Sequence, residues 1–300
     1  NDCVADDLIA HLEAGLEDLS HFVLTQILIV DVHHCVHLLG IEGLALCLNL
    51  GDAQLLRHAE LHAAGGIADA DDAVMAGGIE PFGTPAVDFP VAGSWEQAAE
   101  VFGADSADCI VDFSNHLCTK DLLNFAVGAK LPLVIATTGH TEEELALIKD
   151  AAKGIPIFHS ANMSVGVALL VKLAKTAAAA MPDADIEIIE KHHNRKVDAP
   201  SGTAMMLYRE IAAVRDNAPA KLGRSGIDKR NPGEIGIHAV RMGNIVGEHE
   251  VIIGTPNQTI TLKHEAYDRA LFAEGAIVAA GFVKDQKPGL YDMHDMLNER

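Results

Sequence analysis

The sequence predicts an α/β chain, with a doubly wound parallel sheet first and a second domain built on an antiparallel or mixed sheet. Three observations carry this. Between residues 94 and 161, short apolar runs alternate with helical segments that open on capping residues. Between 234 and 267, three strand-like segments follow one another with only tight turns between them. The 300 residues suffice for two domains, each with a core of its own.

Residues 1 to about 61 are the least regular. NDCVADDLIAHLEAGLEDLSHFVL has helical spacing and LTQILIVDV suits a strand, but HHCVHLLGIEGLALCLNLGDAQLLRHAELHAAG has little polar punctuation. His33 and His37 would share a helical face, as metal ligands do, yet no carboxylate or cysteine set follows at ligand spacing. No metal is expected. From residue 65 the text becomes orderly: a strand end, then a Gly/Pro-rich loop. Ser94-Trp95-Glu96-Gln97 is a capping box opening a helix through Phe102. CIVDF (109 to 113) suits a buried parallel strand, DLLNFAVGAK a helix, and LPLVIATT (131 to 138) a strand. Thr141 to Glu144 is a second capping box, starting a helix through Lys153, and IPIFHSA (155 to 161) is the next strand. A long helix runs from Ser164 to about Met181. EIGIHAVRM, IVGEHEVIIG and TITLKHEAY then form strands turned by Gly243-Asn244 and Pro256-Asn257, before a final helix DRALFAEGAIVAAGFV and KPGLYDMHDML.

Composition excludes several classes. The chain is 49% hydrophobic and 22% charged, a globular balance. The five cysteines show no paired spacing and no C-x-x-C, so a reduced, cytoplasmic protein is expected. The acidic opening lacks the basic start of a secretory signal. The most apolar run is broken by Asp31 and three histidines, so no membrane span is expected. The net charge of −21 is uneven: residues 1 to 119 hold 20 acidic side chains and one basic one, Arg57, whereas residues 120 to 300 are nearly balanced at −2. A nucleic-acid partner is not expected, because a phosphate backbone needs a basic face.

The chemistry concentrates in IEIIEKHHNRKVDAPSGTAMML, residues 186 to 207. Apolar and acidic residues alternate as in a strand; then His192, His193, Arg195 and Lys196 fall within five positions. A Pro-Ser-Gly-Thr corner (Pro200 to Thr203) leads into a helix. First-turn amides lack intrahelical partners and sit at the positive end of the helix dipole, so they suit a carboxylate or phosphate. Either imidazole can give or take a proton near neutral pH, and Lys196 can hold an anion or donate a proton. On residue types alone, a solvated loop with an ordinary helix cap explains the same letters.

The spelling of EKHHNRKVDAPSGTA, residues 190 to 204, resembles the signature of the dihydrodipicolinate reductase family, lysine-pathway enzymes. The resemblance extends through about residues 65 to 300, in VDFSNHLCTKDLLNFAVGAKLPLVIATTGHTEEEL, FHSANMSVGVALLVKLA, GEIGIHAVRMGNIVGEHEVIIG and KPGLYDMHDML. It implies a Rossmann-like doubly wound parallel sheet domain plus a second α+β domain with a mixed sheet. The boundaries expected are a dinucleotide-binding domain over 1–164, a substrate-binding and oligomerisation domain over 165–265, and a C-terminal helix over 266–300 that returns to the first domain. It implies NADH- or NADPH-dependent reduction of 4-hydroxy-tetrahydrodipicolinate, a cyclic dicarboxylate, by a homotetramer whose domains close on a hinge. Carried over position by position, the acid/base histidine is His192, the catalytic lysine Lys196, and the substrate-holding residues His193, Gly202 and Thr203. The cofactor-facing loops are Ala136-Thr137-Thr138 and Ser160-Ala161-Asn162-Met163. Ala136 stands where the family has glycine, and Met163 where an aromatic is common.

The front of the chain departs from the family. Its glycine fingerprint, G-x-x-G-x-M-G, is not present; the nearest string, Gly40-Ile41-Glu42-Gly43-Leu44-Ala45-Leu46, keeps two glycines and would set Glu42 beside a pyrophosphate. A diverged cofactor domain, a non-binding replacement and a stretch that is not the authentic N-terminus (the favoured explanation) all fit. The alternative to an enzyme is a catalytically silent relative that binds a dicarboxylate or only assembles. If a nicotinamide cofactor binds, NADH is expected over NADPH, because a 2′-phosphate needs basic partners.

Overall fold

The structure, a computed structural model, describes residues 27–31, 74–79, 91–92, 94–101 and 107–298. The His33–His37 group, Arg57 and the Gly40–Leu46 string lie outside the described residues, as does most of the segment up to 61. In chain order the described elements are β1 (Ile27–Asp31), β2 (Val74–Ile79), β3 (Val91–Ala92), α1 (Trp95–Val101), β4 (Cys109–Asp112), α2 (Thr119–Ala129), β5 (Leu133–Ile135), α3 (Glu142–Ala151), β6 (Pro156–His159), α4 (Val165–Ala180), β7 (Asp185–His192), α5 (Gly202–Ala213), β8 (Ala220–Leu222), β9 (Ile235–Arg241), β10 (Gly247–Thr255), β11 (Gln258–Ala266), α6 (Ala270–Val283), β12 (Gly289–Tyr291) and α7 (Met293–Asn298). They divide into two compact units. One takes the described residues up to Ala161 together with Ala276–Tyr291; the other takes Asn162–Gly275 and the residues from Asp292.

The first unit is built on a sheet of order β12-β6-β5-β4-β1-β2-β3. The run β12-β6-β5-β4 is parallel throughout, as the strand–helix alternation predicts. β1 departs from that pattern, lying antiparallel to both β4 and β2. Cys109, Ile110, Val111, Leu133, Val134, Ile135, Ile157 and Phe158 are all buried, which is why these strands read as unbroken apolar runs. Both capping boxes start helices. Thr141 Oγ1 accepts the Glu144 amide at 3.2 Å while the Glu144 carboxylate accepts the Thr141 amide at 2.7 Å, and Ser94 Oγ accepts the Gln97 amide at 3.3 Å.

The second unit carries a mixed sheet of order β11-β10-β7-β9-β8. β10 pairs antiparallel with β7 and β11, while β7-β9-β8 is parallel. Pro256-Asn257 makes the two-residue turn that sets Thr255 opposite Gln258, and Gly243, at φ +51°, turns the chain between β9 and β10. Ile186 and Ile188 of β7 point into a core with Leu170, Leu207, Ile211, Ile237, Val251 and Ile253. Because side chains alternate along a strand, the same face of β7 carries Glu190 and His192, and both are buried. That alternation delivers two titratable groups to the edge of an apolar core. Among the described residues, no helix is long and apolar enough to cross a membrane.

Candidate functional site

The loop between β7 and α5 gathers the residues singled out in the second unit. His192 closes β7 with only 9% of its surface exposed, and its Nδ1 lies 2.6 Å from Glu190 Oε2. Glu190 is fully buried, directly across the β7-β10 ladder from His249. Arg241 of β9, the register partner of His192, donates from Nη1 to Oε2 and from Nη2 to Oε1 of Glu190, both at 2.7 Å. The Ser201 amide donates to Oε1 at 3.0 Å. Burial alone would raise the Glu190 carboxyl, but the hydrogen bonds from His192, Arg241 and Ser201 outweigh it and hold the group at about 2. His249 packs edge-on against His192, ring centroids 5.2 Å apart, with its Nε2 3.0 Å from Ser201 Oγ. Burial pushes His249 down to about 3, so its ring is neutral.

The rest of the loop is organised around cations and amides. Lys196 is largely covered and lies 2.8 Å from the Asp198 carboxylate, while the Asp198 carbonyl accepts from Arg241 at 2.7 Å. Arg195 donates to Asn244 at 2.9 Å. His193 Nδ1 is buried without a hydrogen-bond partner among the described residues, and burial followed by the charge of Arg195 lowers its pKa. Ser201 caps α5, its Oγ accepting the Ala204 amide at 3.2 Å. Gly202 and Thr203 therefore open the helix where amides have no intrahelical acceptor, and a side chain at Gly202 would meet no atom within 4 Å. The Thr203 hydroxyl accepts from Asn162 Nδ2 at 3.0 Å, and Asn162 Oδ1 accepts the Ser164 amide at 2.9 Å. Met163 is buried, its carbonyl packed against the Cα side of Gly275.

In the first unit, Ala136, Thr137 and Thr138 leave the end of β5, and Ser160 and Ala161 leave the end of β6, where open parallel sheets bind ligands. The Ala136 amide is used by the Asp112 carbonyl at 2.8 Å, and the Ser160 amide by the Ile135 carbonyl at 3.2 Å. Thr137 is buried. Sequence reasoning overlooked the histidines at this edge. His140 stacks edge-on with His159 at 5.2 Å and faces His116 at 6.5 Å, while His116 Nδ1 lies 3.0 Å from Glu144. Burial lowers His140, and burial with the nearby His140 charge lowers His159 to about 4. His140 Nε2 is buried without a hydrogen-bond partner among the described residues. Asp112, closing β4, is raised to about 6 by burial against the opposing bonds from Ser114. The unpartnered His140 Nε2, past the carboxyl end of β5, fits a polar group of a nicotinamide nucleotide; the stretch expected to cradle its phosphates lies outside the described residues.

Sequence reasoning also overlooked Glu190, Arg241, Ser201 and His249 as members of the histidine network. A period-2 reading of β7 places Glu190 beside His192, but Arg241 and His249 join them only through strand register. Among the described residues, one His/Asp grouping is tight enough for a metal ion, Asp292, His294 and Asp295, and it is exposed. Asp292 there accepts the amides of His294 and Asp295 at 2.7 and 3.1 Å, the bonding of a helix cap.

Comparison with known proteins bears on the same elements. The family model described as dihydrodipicolinate reductase, N-terminus, matches residues 54–163, and that described as dihydrodipicolinate reductase, C-terminus, matches residues 166–297. The 4-hydroxy-tetrahydrodipicolinate reductase of Caldanaerobacter subterraneus subsp. tengcongensis is 48% identical over 215 residues, covering 71% of this chain and 84% of the relative. That of Clostridium tetani is 44% identical over 237 residues, 77% of this chain and 89% of the relative. Among solved structures, a dihydrodipicolinate reductase from Paenisporosarcina sp. TG-14 with dipicolinate bound superposes with a TM-score of 0.59 at 28% identity, covering 70% of this chain and 80% of the other.

Proposed function

The chain belongs to the dihydrodipicolinate reductase family, and from that premise we propose that it reduces 4-hydroxy-tetrahydrodipicolinate to tetrahydrodipicolinate in the diaminopimelate route to lysine, using NADH or NADPH. The observation that carries the reading is the loop from His192 to Thr203. It sets an imidazole, an ammonium group and a helix N-terminus on one short stretch of a single unit.

The substrate ring bears two carboxylates. Gly202 and Thr203 offer amides at the positive end of α5, and His193, whose buried Nδ1 has no hydrogen-bond partner among the described residues, supplies a further donor. Lys196 neutralises one carboxylate and stands ready to donate. A reduced nicotinamide, when bound, supplies the hydride to a ring carbon. His192 and Lys196 manage the accompanying proton, and the ring hydroxyl leaves as water. Ala136, Thr137, Thr138, Ser160 and Ala161, with the His140 edge, are the residues of the first unit that would hold the nicotinamide. The dipicolinate carried by the Paenisporosarcina enzyme supports a planar dicarboxylate as the kind of ligand this loop takes.

We assign the substrate role to the domain around β7 and α5 and the dinucleotide role to the domain around β4, β5 and β6, in a cytoplasmic homotetramer. The sequence features behind this are the absence of paired cysteine spacing and the reductase signature, with the mixed sheet of the second unit as the assembly surface. The deciding experiment is a steady-state assay with 4-hydroxy-tetrahydrodipicolinate and each nicotinamide. Saturable oxidation of the nucleotide that depends on the ring substrate is expected. Absence of turnover with both nucleotides sinks the reading.

A further inference from the structure

We propose that Glu190 is the positioning residue of the reaction: it fixes which nitrogen of His192 carries the proton and aims the other at the substrate. The inference rests on the functional reading above and goes one residue deeper. Glu190 accepts four hydrogen bonds, one from His192, two from Arg241 and one from the Ser201 amide. A carboxylate so surrounded stays ionised, and an ionised carboxylate can only accept. The proton between the two groups therefore belongs to His192 Nδ1, which leaves Nε2 as the nitrogen that exchanges a proton with anything else. The surroundings keep that second nitrogen uncrowded. A Cβ on Gly247 would stand 3.2 Å from Nε2, and the chain has glycine there.

Stability does not account for this arrangement. Burying a carboxylate with a guanidinium carries a desolvation penalty on each ion, and apolar replacements of such pairs are commonly neutral or stabilising. A fully buried Glu190 gripped at both oxygens by Arg241 is a costly way to fill a core position, but an effective way to lock a carboxylate in one orientation. Arg241 and the Ser201 amide clamp the oxygens, so Glu190 cannot swing away when His192 changes charge. As the imidazole takes up a proton, the fixed negative charge 2.6 Å away stabilises the imidazolium without reorganisation.

The test uses the full chain and three variants: Glu190→Gln, Glu190→Gln combined with Arg241→Met, and His192→Gln to assign the resonance of that ring. Glu190→Gln keeps the shape but offers an amide that no longer dictates the tautomer. The expected kinetic result is a fall in kcat of about 100-fold or more, with KM for the ring substrate changed less than about threefold. The double variant removes the unpaired guanidinium, so it should melt close to the wild type while remaining slow. In long-range proton–nitrogen spectra of [15N]histidine-labelled protein, His192 should be protonated at Nδ1 in the wild type and lose that preference in Glu190→Gln. A double variant with kcat within about threefold of wild type would make Glu190 a mere counter-ion to Arg241 and overturn the proposal. So would an unchanged His192 tautomer. The spectra need no substrate, so a wild type that failed to reduce the ring would defeat the functional reading while the tautomer comparison still decided the role of Glu190.

Discussion

His192 and Lys196 sit four positions apart, yet the structure gives them different companions. His192 is tied inward to a buried carboxylate, whereas Lys196 is paired with Asp198, whose side chain is 54% exposed. A partly exposed pair contributes little to stability, typically about 0–1 kcal/mol, so Lys196 can be removed without endangering the fold. Lys196→Met should melt within a few degrees of the wild type and lose about 100-fold or more in kcat/KM for the ring substrate. Enzyme kinetics beside a thermal melt reads both; a variant retaining wild-type kcat/KM would take Lys196 out of the chemistry. The residues of this loop were legible in the sequence because they are consecutive and chemically unusual. Glu190 was legible as a strand residue on the same face as His192, which Glu187 is not, but a shared face does not by itself say that the two side chains bond. Arg241 was invisible as a member of the site. It lies 51 positions from Glu190 and reaches it only because β7 and β9 pair in one register.

At the scale of elements, the strands and helices with a clear period were readable. β7 alternates, β4 to β6 are unbroken apolar runs, and α1 and α3 announce themselves by their caps. The strands β8 and β12 were not readable, because three residues carry no period and their pairing comes from neighbours far along the chain. The antiparallel setting of β1 was equally hidden, since an apolar run does not state its direction. Nor did His116, His140 and His159 announce a cluster; each is a lone histidine until three parallel strands bring their ends to one edge. One close approach yields a test. A Cβ at Gly275 of α6 would stand 1.7 Å from the Met163 carbonyl oxygen, a backbone atom that cannot turn aside as a side chain would. Gly275→Ala should destabilise by about 1–3 kcal/mol despite the helix propensity that alanine adds. Denaturant melts measure this, and a stabilised variant would show that the packing there is looser than described.

The whole molecule imposes two further expectations. The first concerns acid. Burial holds His249 at about 3 and His159 at about 4, whereas an unfolded imidazole titrates near 6.5. Between about 6.5 and 4 the unfolded chain therefore binds two protons that the folded chain refuses. Asp112 acts in the opposite sense: raised to about 6, it keeps a proton in the folded state that an unfolded aspartate has released above about 4. Two protons against one leaves a net loss of stability as pH falls, on the order of 1 kcal/mol per pH unit across that window. Glu190, at about 2, extends the loss as pH drops through the ordinary carboxylate range. Tm should therefore fall between pH 6.5 and 4.5, and a Tm that rises on acidification would contradict these shifts. The second expectation follows from charge. With 20 acidic side chains and one arginine in residues 1 to 119, a 2′-phosphate meets repulsion, so kcat/KM should favour NADH over NADPH. A marked preference for NADPH would reverse that conclusion.

The way the backbone is threaded has a practical corollary. The polypeptide changes unit at Ala161, again at Gly275 inside α6, and a third time at Tyr291, so each body is assembled from separate lengths of the gene. Truncation at residue 161 discards β12, which closes the β6 border of the parallel sheet. A fragment of residues 162–275 alone lacks α7, including Asn298, which Lys172 of α4 holds at 2.9 Å. Anyone wishing to study one half alone must splice distant exon-like pieces together rather than choose a cutting point, and fusion partners belong at the ends of the chain, not at a supposed linker.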